Sequence, residues 1–342
     1  SIHVAFDKAA QAFGLRLKKV PLGRDYRVNL KLLRKAISRN TIMIAASAPQ
    51  YAHGVIDPIE EIGLLAKKRG IPFHVDACFG GFLLPWLEKL GYPIPPFDFR
   101  VPGVTSISAD IHKYGYAPKG SSTVLYRNMD YLKNQFFAVT DWPGGIYVSP
   151  TLPGSRPGGA IAAAWASLMA MGEGGFIELA SKAMEVTQQL RFGIDSIPEL
   201  TVLGVPDCTI ICFKESSEYS ELNIYAIADF MEGLGWSVDR QQLPPSIHCS
   251  VNAFNAESVG PYLEDLRGAV EHCREQPSSQ DQGQAAMYGM MAKLPSRKLV
   301  KFSVLKVMEA MYAPGKTEFN MEDLANDDGN PLLSNLLSYG QK

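Results

Sequence analysis

The chain has 342 residues, 46% of them hydrophobic and 20% charged, with a net charge of -2. This is an ordinary globular composition, long enough for a sizeable core and roughly two domains, and its balanced charge argues against a nucleic-acid or membrane-surface binder. Five cysteines, odd in number and without paired ligand spacing, argue against a disulfide framework or a metal site and fit a reducing compartment.

In chain order, Ile2 to Phe6 reads as a strand-like run, and its abrupt start at Ser1 leads us to expect that an N-terminal part of the parent protein precedes it. Leu15 to Val20 predicts a short strand, and Asn29 to Ser38 a helix capped by Asn29. Thr41 to Ala46 is a continuous apolar strand of the kind buried on both faces, and Asp57 and Pro58 open a helix running through Lys68. Phe73 to Asp76 is a short strand ending in an acid, followed by Gly80 and Gly81, which permit close approach to the backbone. Val104 to Ile107 is a further strand. The glycines and proline after it place Lys113 on a loop held by the sheet. Strands separated by helices predict an α/β fold with a mainly parallel sheet and ligands bound beyond the strands' carboxyl ends. Ser47 stands at such an end, and His53 just beyond it reads equally as site or as loop structure.

Pro157 to Gly172 is a long charge-free run, shorter than the ~20 residues of a membrane span, and reads as a buried helix. The Gly/Pro-rich loop 153 to 159 before it is either punctuation or a phosphate-binding helix start. Glu173 to Leu200 predicts a long helix. It is followed by a strand (201 to 213), a helix (222 to 234), strands at 236 to 239 and 246 to 251, and a helix (259 to 273), a compact α+β unit with Cys208 and Cys212 on one strand face in its core. Residues 275 to 285 read as a polar linker, Tyr288-Gly289-Met290 as part of a helix, and 314 to 342 as a loose tail. The expected organisation is a large domain (1 to 172), a connecting helix (173 to 200), a small domain (201 to 313) and the tail.

A lysine taken alone is a solvated surface group. Asp76 changes the reading, because an acid at the end of a buried strand needs a positive partner. A carboxylate at one strand end and a lysine after the next strand are what holding pyridoxal phosphate requires. The lysine forms the imine, and the acid keeps the ring nitrogen protonated so that the ring accepts electrons.

His74-Val75-Asp76-Ala77, Ser108-Ala109-Asp110-x-His112-Lys113 and Gly154-Ser155-Arg156-Pro157-Gly158-Gly159 resemble the pyridoxal-phosphate enzymes of the aspartate-aminotransferase fold (fold type I), in the group II decarboxylase branch. His112 to Gly120 and His53-Gly54-Val55-Ile56-Asp57-Pro58 resemble the sphingosine-1-phosphate lyases more closely, and the likeness runs from residue 1 to about 312. Ile111 departs from it, since these lyases more often carry Thr there. The resemblance implies that Lys113 carries the cofactor, with His112, Asp76, Ala77 and Ser47 around it and His3 stacked on the ring. It implies that Gly154 and Ser155 contact the cofactor phosphate of a neighbouring subunit, with Arg156 stabilising their loop, and hence a homodimer. Lys119 would serve a phosphate or a proton. The implied substrate is a phosphorylated sphingoid base, cleaved in retro-aldol fashion to a fatty aldehyde and phosphoethanolamine, with no metal. In a eukaryote the implied place is the endoplasmic reticulum membrane with the catalytic part facing the cytosol, and in a bacterium the cytosol. An amino-acid decarboxylase is the rival enzyme reading, and an inactive, dimer-forming scaffold fragment the rival of another class.

Overall fold

In the computed structural model, which describes residues 1–276, 285 and 297–312, the alternating apolar runs build two units. The first comprises Ser1–Arg191, Val202–Cys212 and Ser250–Val259, and the second Phe192–Thr201, Phe213–Cys249 and the described residues from Gly260 on. The expected linker, the Tyr288 helix and the tail beyond 314 fall largely or wholly outside the described residues.

The chain starts with helices α1 (Ala5–Ala12) and α2 (Leu30–Ala36) and continues through β1 (Ile44–Ser47), α3 (Ile59–Arg69), β2 (Phe73–Asp76), α4 (Leu84–Lys89), β3 (Val104–Ala109) and β4 (Thr123–Tyr126). The four strands lie in the order β1-β2-β3-β4; the first three are parallel and β4 is an antiparallel edge. Phe73, Val75, Val104 and Ile107 are buried in this sheet, with Ile59, Ile62, Leu84 and Leu87 of α3 and α4 in the same core. The Asn29 side chain accepts the Leu32 N–H and starts α2.

Two early expectations are corrected. Residues 2 to 6 are not a strand, because the chain turns into α1 at Ala5, and Leu15 to Val20 has no regular structure. Both are short apolar runs whose period does not separate strand from helix or coil.

One irregularity in the sheet matters for the site. Phe73 pairs with Val104, but His74 pairs with Ser106, so Thr105 is the extra residue of a bulge. Its hydroxyl bonds both the N–H and the carbonyl of Phe73, each at 3.0 Å. Without that extra residue His74 would meet Thr105 and Asp76 would meet Ile107. With it, Asp76 pairs with Ser108, and on its other side with Ser47 of β1.

After α5 (Met129–Leu132) comes the hairpin β5 (Phe137–Val139) and β6 (Tyr147–Ser149), then α6 (Gly158–Asp195). The expected buried helix over 157 to 172 is instead exposed: Ile161, Trp165 and Met169, spaced to share one face, are 57%, 65% and 65% accessible. α6 is long and apolar enough to cross a membrane by length and composition. Its backbone breaks at Gly172 (φ 56°, ψ -176°), however, and the part before the break spans only about 21 Å at 1.5 Å per residue.

A second sheet has the order β7 (Leu200–Val202), β8 (Ile210–Glu215), β10 (Pro245–Ser250), β9 (Asp239–Gln242), and the remaining helices are α7 (Ile224–Gly233), α8 (Val259–Glu275) and α9 (Arg297–Met311). The expected single strand 201 to 213 is two strands separated by a loop; Cys208 lies in that loop, buried like Cys212 but not on a shared strand face. Arg240, its side chain 3% accessible, ties β9 to α7 through Asp229 (2.5 Å) and Glu232 (2.6 Å).

Candidate active site

The carboxyl ends of β1 and β2 and the turn after β3 open on one cavity of about 320 Å³ in the first unit, lined by His3, Ser47, Asp76, Cys78, Phe79 and Lys113, with Pro49, Tyr51 and Ser250 completing the wall. Asp76 is buried, and its Oδ1 accepts the Ser108 hydroxyl at 2.9 Å and the Cys78 N–H at 3.1 Å. The turn that follows is pressed against β1: a methyl group on Gly80 would stand 2.2 Å from the Ala48 carbonyl oxygen. Only glycine allows that approach. Ser47 is held by its N–H, which donates to Asp57 Oδ2 at 3.0 Å, while Asp57 Oδ1 accepts the Val28 N–H. Burial raises the Asp57 carboxyl above the usual range despite these two bonds.

The Lys113 turn is fixed to the same wall, because the Asp110 N–H donates to the Cys78 carbonyl at 3.1 Å. Asp110 gathers the groups of this turn: Lys113 Nζ at 3.0 Å, His112 Nε2 at 3.5 Å and the Ser122 hydroxyl at 2.5 Å. Burial favours the neutral amine of Lys113, but hydrogen bonds with Cys78 and Asp110 and their charges outweigh it, and the ammonium is held above its ordinary pKa. The Cys78 thiol is pushed up to about 12, chiefly by burial and then by the Asp76 carboxylate, with Lys113 opposing. Tyr114, next to the lysine, is buried and anchored: its hydroxyl donates to the Val251 carbonyl and meets Thr209 Oγ1, both at 2.5 Å.

The structure thus brings His3, Ser47, Asp76 and Lys113 to one cavity. His112 stands behind Lys113 on Asp110, and Ala77 is fully buried under the turn. The exposed His3 uses Nδ1 to accept the Ala5 N–H at the start of α1. Lys119, Gly154, Ser155 and Arg156 are exposed and outside the cavity wall. His53 is buried with its ring 4.3 Å from that of Tyr26 and its Nδ1 3.3 Å from Gln50 Oε1, also outside the wall. Sequence reasoning missed Cys78, Asp110 and Ser108 as site groups, although all three sit inside or directly after the quoted motifs. Ser250, far along the chain, carried no local signal.

A carboxylate and an amine facing one cavity, each tethered by its own strand end, fit opposite sides of a pyridine aldehyde, and the volume accommodates such a ring. No group of three or more His, Cys, Asp or Glu residues is placed to hold a metal among the described residues. With the largely parallel sheet, this site defines a pyridoxal-phosphate enzyme of fold type I.

Residues 1–216 match the model of the pyridoxal-dependent decarboxylase conserved domain, and the chain belongs to that family, whose cofactor is pyridoxal 5'-phosphate. It is 50% identical over 310 residues to the sphingosine-1-phosphate lyase of Arabidopsis thaliana, covering 91% of this chain and 56% of that protein. It is 45% identical over 316 residues to sphingosine-1-phosphate lyase 1 of Rattus norvegicus, covering 92% and 55%. The solved sphingosine-1-phosphate lyase of Burkholderia pseudomallei superposes with a TM-score of 0.78 at 38% identity, covering 90% of this chain and 65% of that one. The chain spans about half the length of the curated relatives it matches.

Proposed function

We propose that the parent protein is a pyridoxal-phosphate lyase that cleaves phosphorylated long-chain sphingoid bases to a fatty aldehyde and phosphoethanolamine. The observation that carries this is Asp76 and Lys113 facing one cavity in a chain that is 45% to 50% identical to two sphingosine-1-phosphate lyases. When bound, the cofactor supplies an electron sink for the breaking carbon-carbon bond. In this reading Lys113 would hold the cofactor covalently through its amine. Asp76 faces the ring nitrogen and keeps it protonated, and His3 covers one face of the ring. Ser47, Ala77 and His112 shape the rest of the cradle. Lys119 serves the substrate phosphate or a proton, as a compact charge with three donors on an exposed loop.

The same reading makes the protein a homodimer. Gly154 and Ser155 are exposed and away from the cavity of their own chain, as a contribution to a second copy's phosphate site requires. The exposed face of Ile161, Trp165 and Met169 and the exposed Phe137, Trp142 and Val148 near the hairpin are the apolar, aromatic surface such contacts bury. For a eukaryotic source the protein belongs on the cytosolic side of the endoplasmic reticulum membrane, which fractionation with protease protection tests.

The deciding experiment combines a product assay with active-site mapping. Full-length protein should release a fatty aldehyde from sphingosine 1-phosphate, and borohydride should fix the cofactor on Lys113. Lys113→Ala should abolish both. An adduct on Lys119, or carbon dioxide release from an amino acid without aldehyde from the phosphorylated base, overturns the reading.

A further inference from the structure

We infer that His74 and Ser108 form a hydrogen-bonded relay that holds Asp76 in one orientation, which makes them positioning residues for the cofactor's ring nitrogen. The inference rests on the reading of Asp76 given above.

His74 and Asp76 share one face of β2, and Ser106 and Ser108 share the matching face of β3, brought opposite by the bulge at Thr105. Ser108 Oγ donates to Asp76 Oδ1 at 2.9 Å, so its only proton is spent. Toward His74 Nε2, 3.2 Å away, Ser108 can therefore only accept, and Nε2 must carry a hydrogen. Burial, the largest influence on His74, favours the neutral ring, so Nδ1 is left as acceptor for the Ser106 hydroxyl at 2.9 Å. The row then reads Ser106 to His74 to Ser108 to Asp76, every proton pointing toward the carboxylate. Successive bonds of one sense polarise and strengthen each other, so the row fixes the carboxylate that ends it. The flanking Val75 and Ile107 are buried and apolar, and two hydroxyls and an imidazole in such a sheet cost more than aliphatic side chains would. Ser108 and the Cys78 N–H both bond Oδ1, while Asp76 lines the cavity.

Two measurements test this. In protein with 15N-labelled histidine and no cofactor, His74 should be the neutral Nε2–H tautomer at pH 7.5. An Nδ1–H or doubly protonated ring overturns the relay. The second is affinity for pyridoxal phosphate against its deaza analogue, which lacks the ring nitrogen, read by tryptophan fluorescence. The parent should prefer pyridoxal phosphate by about tenfold, the scale of a hydrogen bond to a charged group. Ser108→Ala and His74→Leu should shrink that preference to about twofold, with Ser108→Thr and His74→Gln retaining it. If Asp76→Asn removes the preference while Ser108→Ala and His74→Leu leave it intact, the relay is wrong and the reading of Asp76 stands. If the parent itself shows no preference, the reading of Asp76 fails first.

Discussion

Lys113 Nζ stands 3.0 Å from Asp110 Oδ2, so the amine that must lose its proton to react is held in an ion pair three residues long. Against burial, the contacts with Cys78 and then those with Asp110 raise the Lys113 pKa, so the neutral amine is scarcer near pH 7.5 than in a free lysine, and cofactor loading should accelerate as pH rises. Asp110→Asn should remove part of that rise and speed loading at pH 7.5, read by stopped-flow absorbance. A raised lysine pKa contributes stability below the ordinary value of 10.5 and loses it only above, so the parent's stability should not change through this group between pH 6 and 9. Slower loading in the variant would show that Asp110 places the amine more than it charges it.

Asp76→Asn keeps the shape of the side chain and removes its charge. Turnover in the full-length protein should fall by about 100-fold or more, the scale of a preorganised electrostatic group. A variant within about threefold of the parent would exclude the role.

Lys119 is exposed and outside the cavity wall, so its kinetics discriminate between roles. If it holds phosphate in ground and transition states alike, Lys119→Ala raises KM with kcat little changed; if it moves a proton, kcat falls at constant KM. We expect a mixed effect dominated by kcat, with Lys119→Arg, which retains the charge, recovering only the KM part. Unchanged constants in Lys119→Ala return it to the solvated loop.

Tyr114→Phe should destabilise the fold by about 1–3 kcal/mol, because the buried Thr209 hydroxyl and Val251 carbonyl lose their partner without a route to water. Urea unfolding should show a lower midpoint at unchanged slope. A midpoint equal to the parent's would mean that the tyrosine hydroxyl contributes nothing net.

Strand ends carrying chemistry were legible in the sequence: Asp76 closes an apolar run and Lys113 follows one, and both signals survive without knowledge of contacts. Asn29 was legible as a cap for the same local reason. The register was not. Nothing in Val104-Thr105-Ser106 announces that Thr105 bonds sideways to Phe73 and slips the pairing by one, yet that slip is what faces Ser108 to Asp76. Composition misled at 157 to 172, since an apolar helix reads as buried whether its cover comes from its own chain or elsewhere. Ser250 reaches the cavity wall only through the tertiary fold, which short-range pattern cannot express.

The break at Gly172 leaves a short greasy rod on the outside of a single chain, and this has practical weight. Protein diluted until its copies separate should elute later from a sizing column, light up a solvatochromic dye, and stick to plastic and to mild detergent. Trp165→Lys, which places a charge in the middle of that face, should quench the dye signal and give material that stays dispersed at concentrations where the parent clouds.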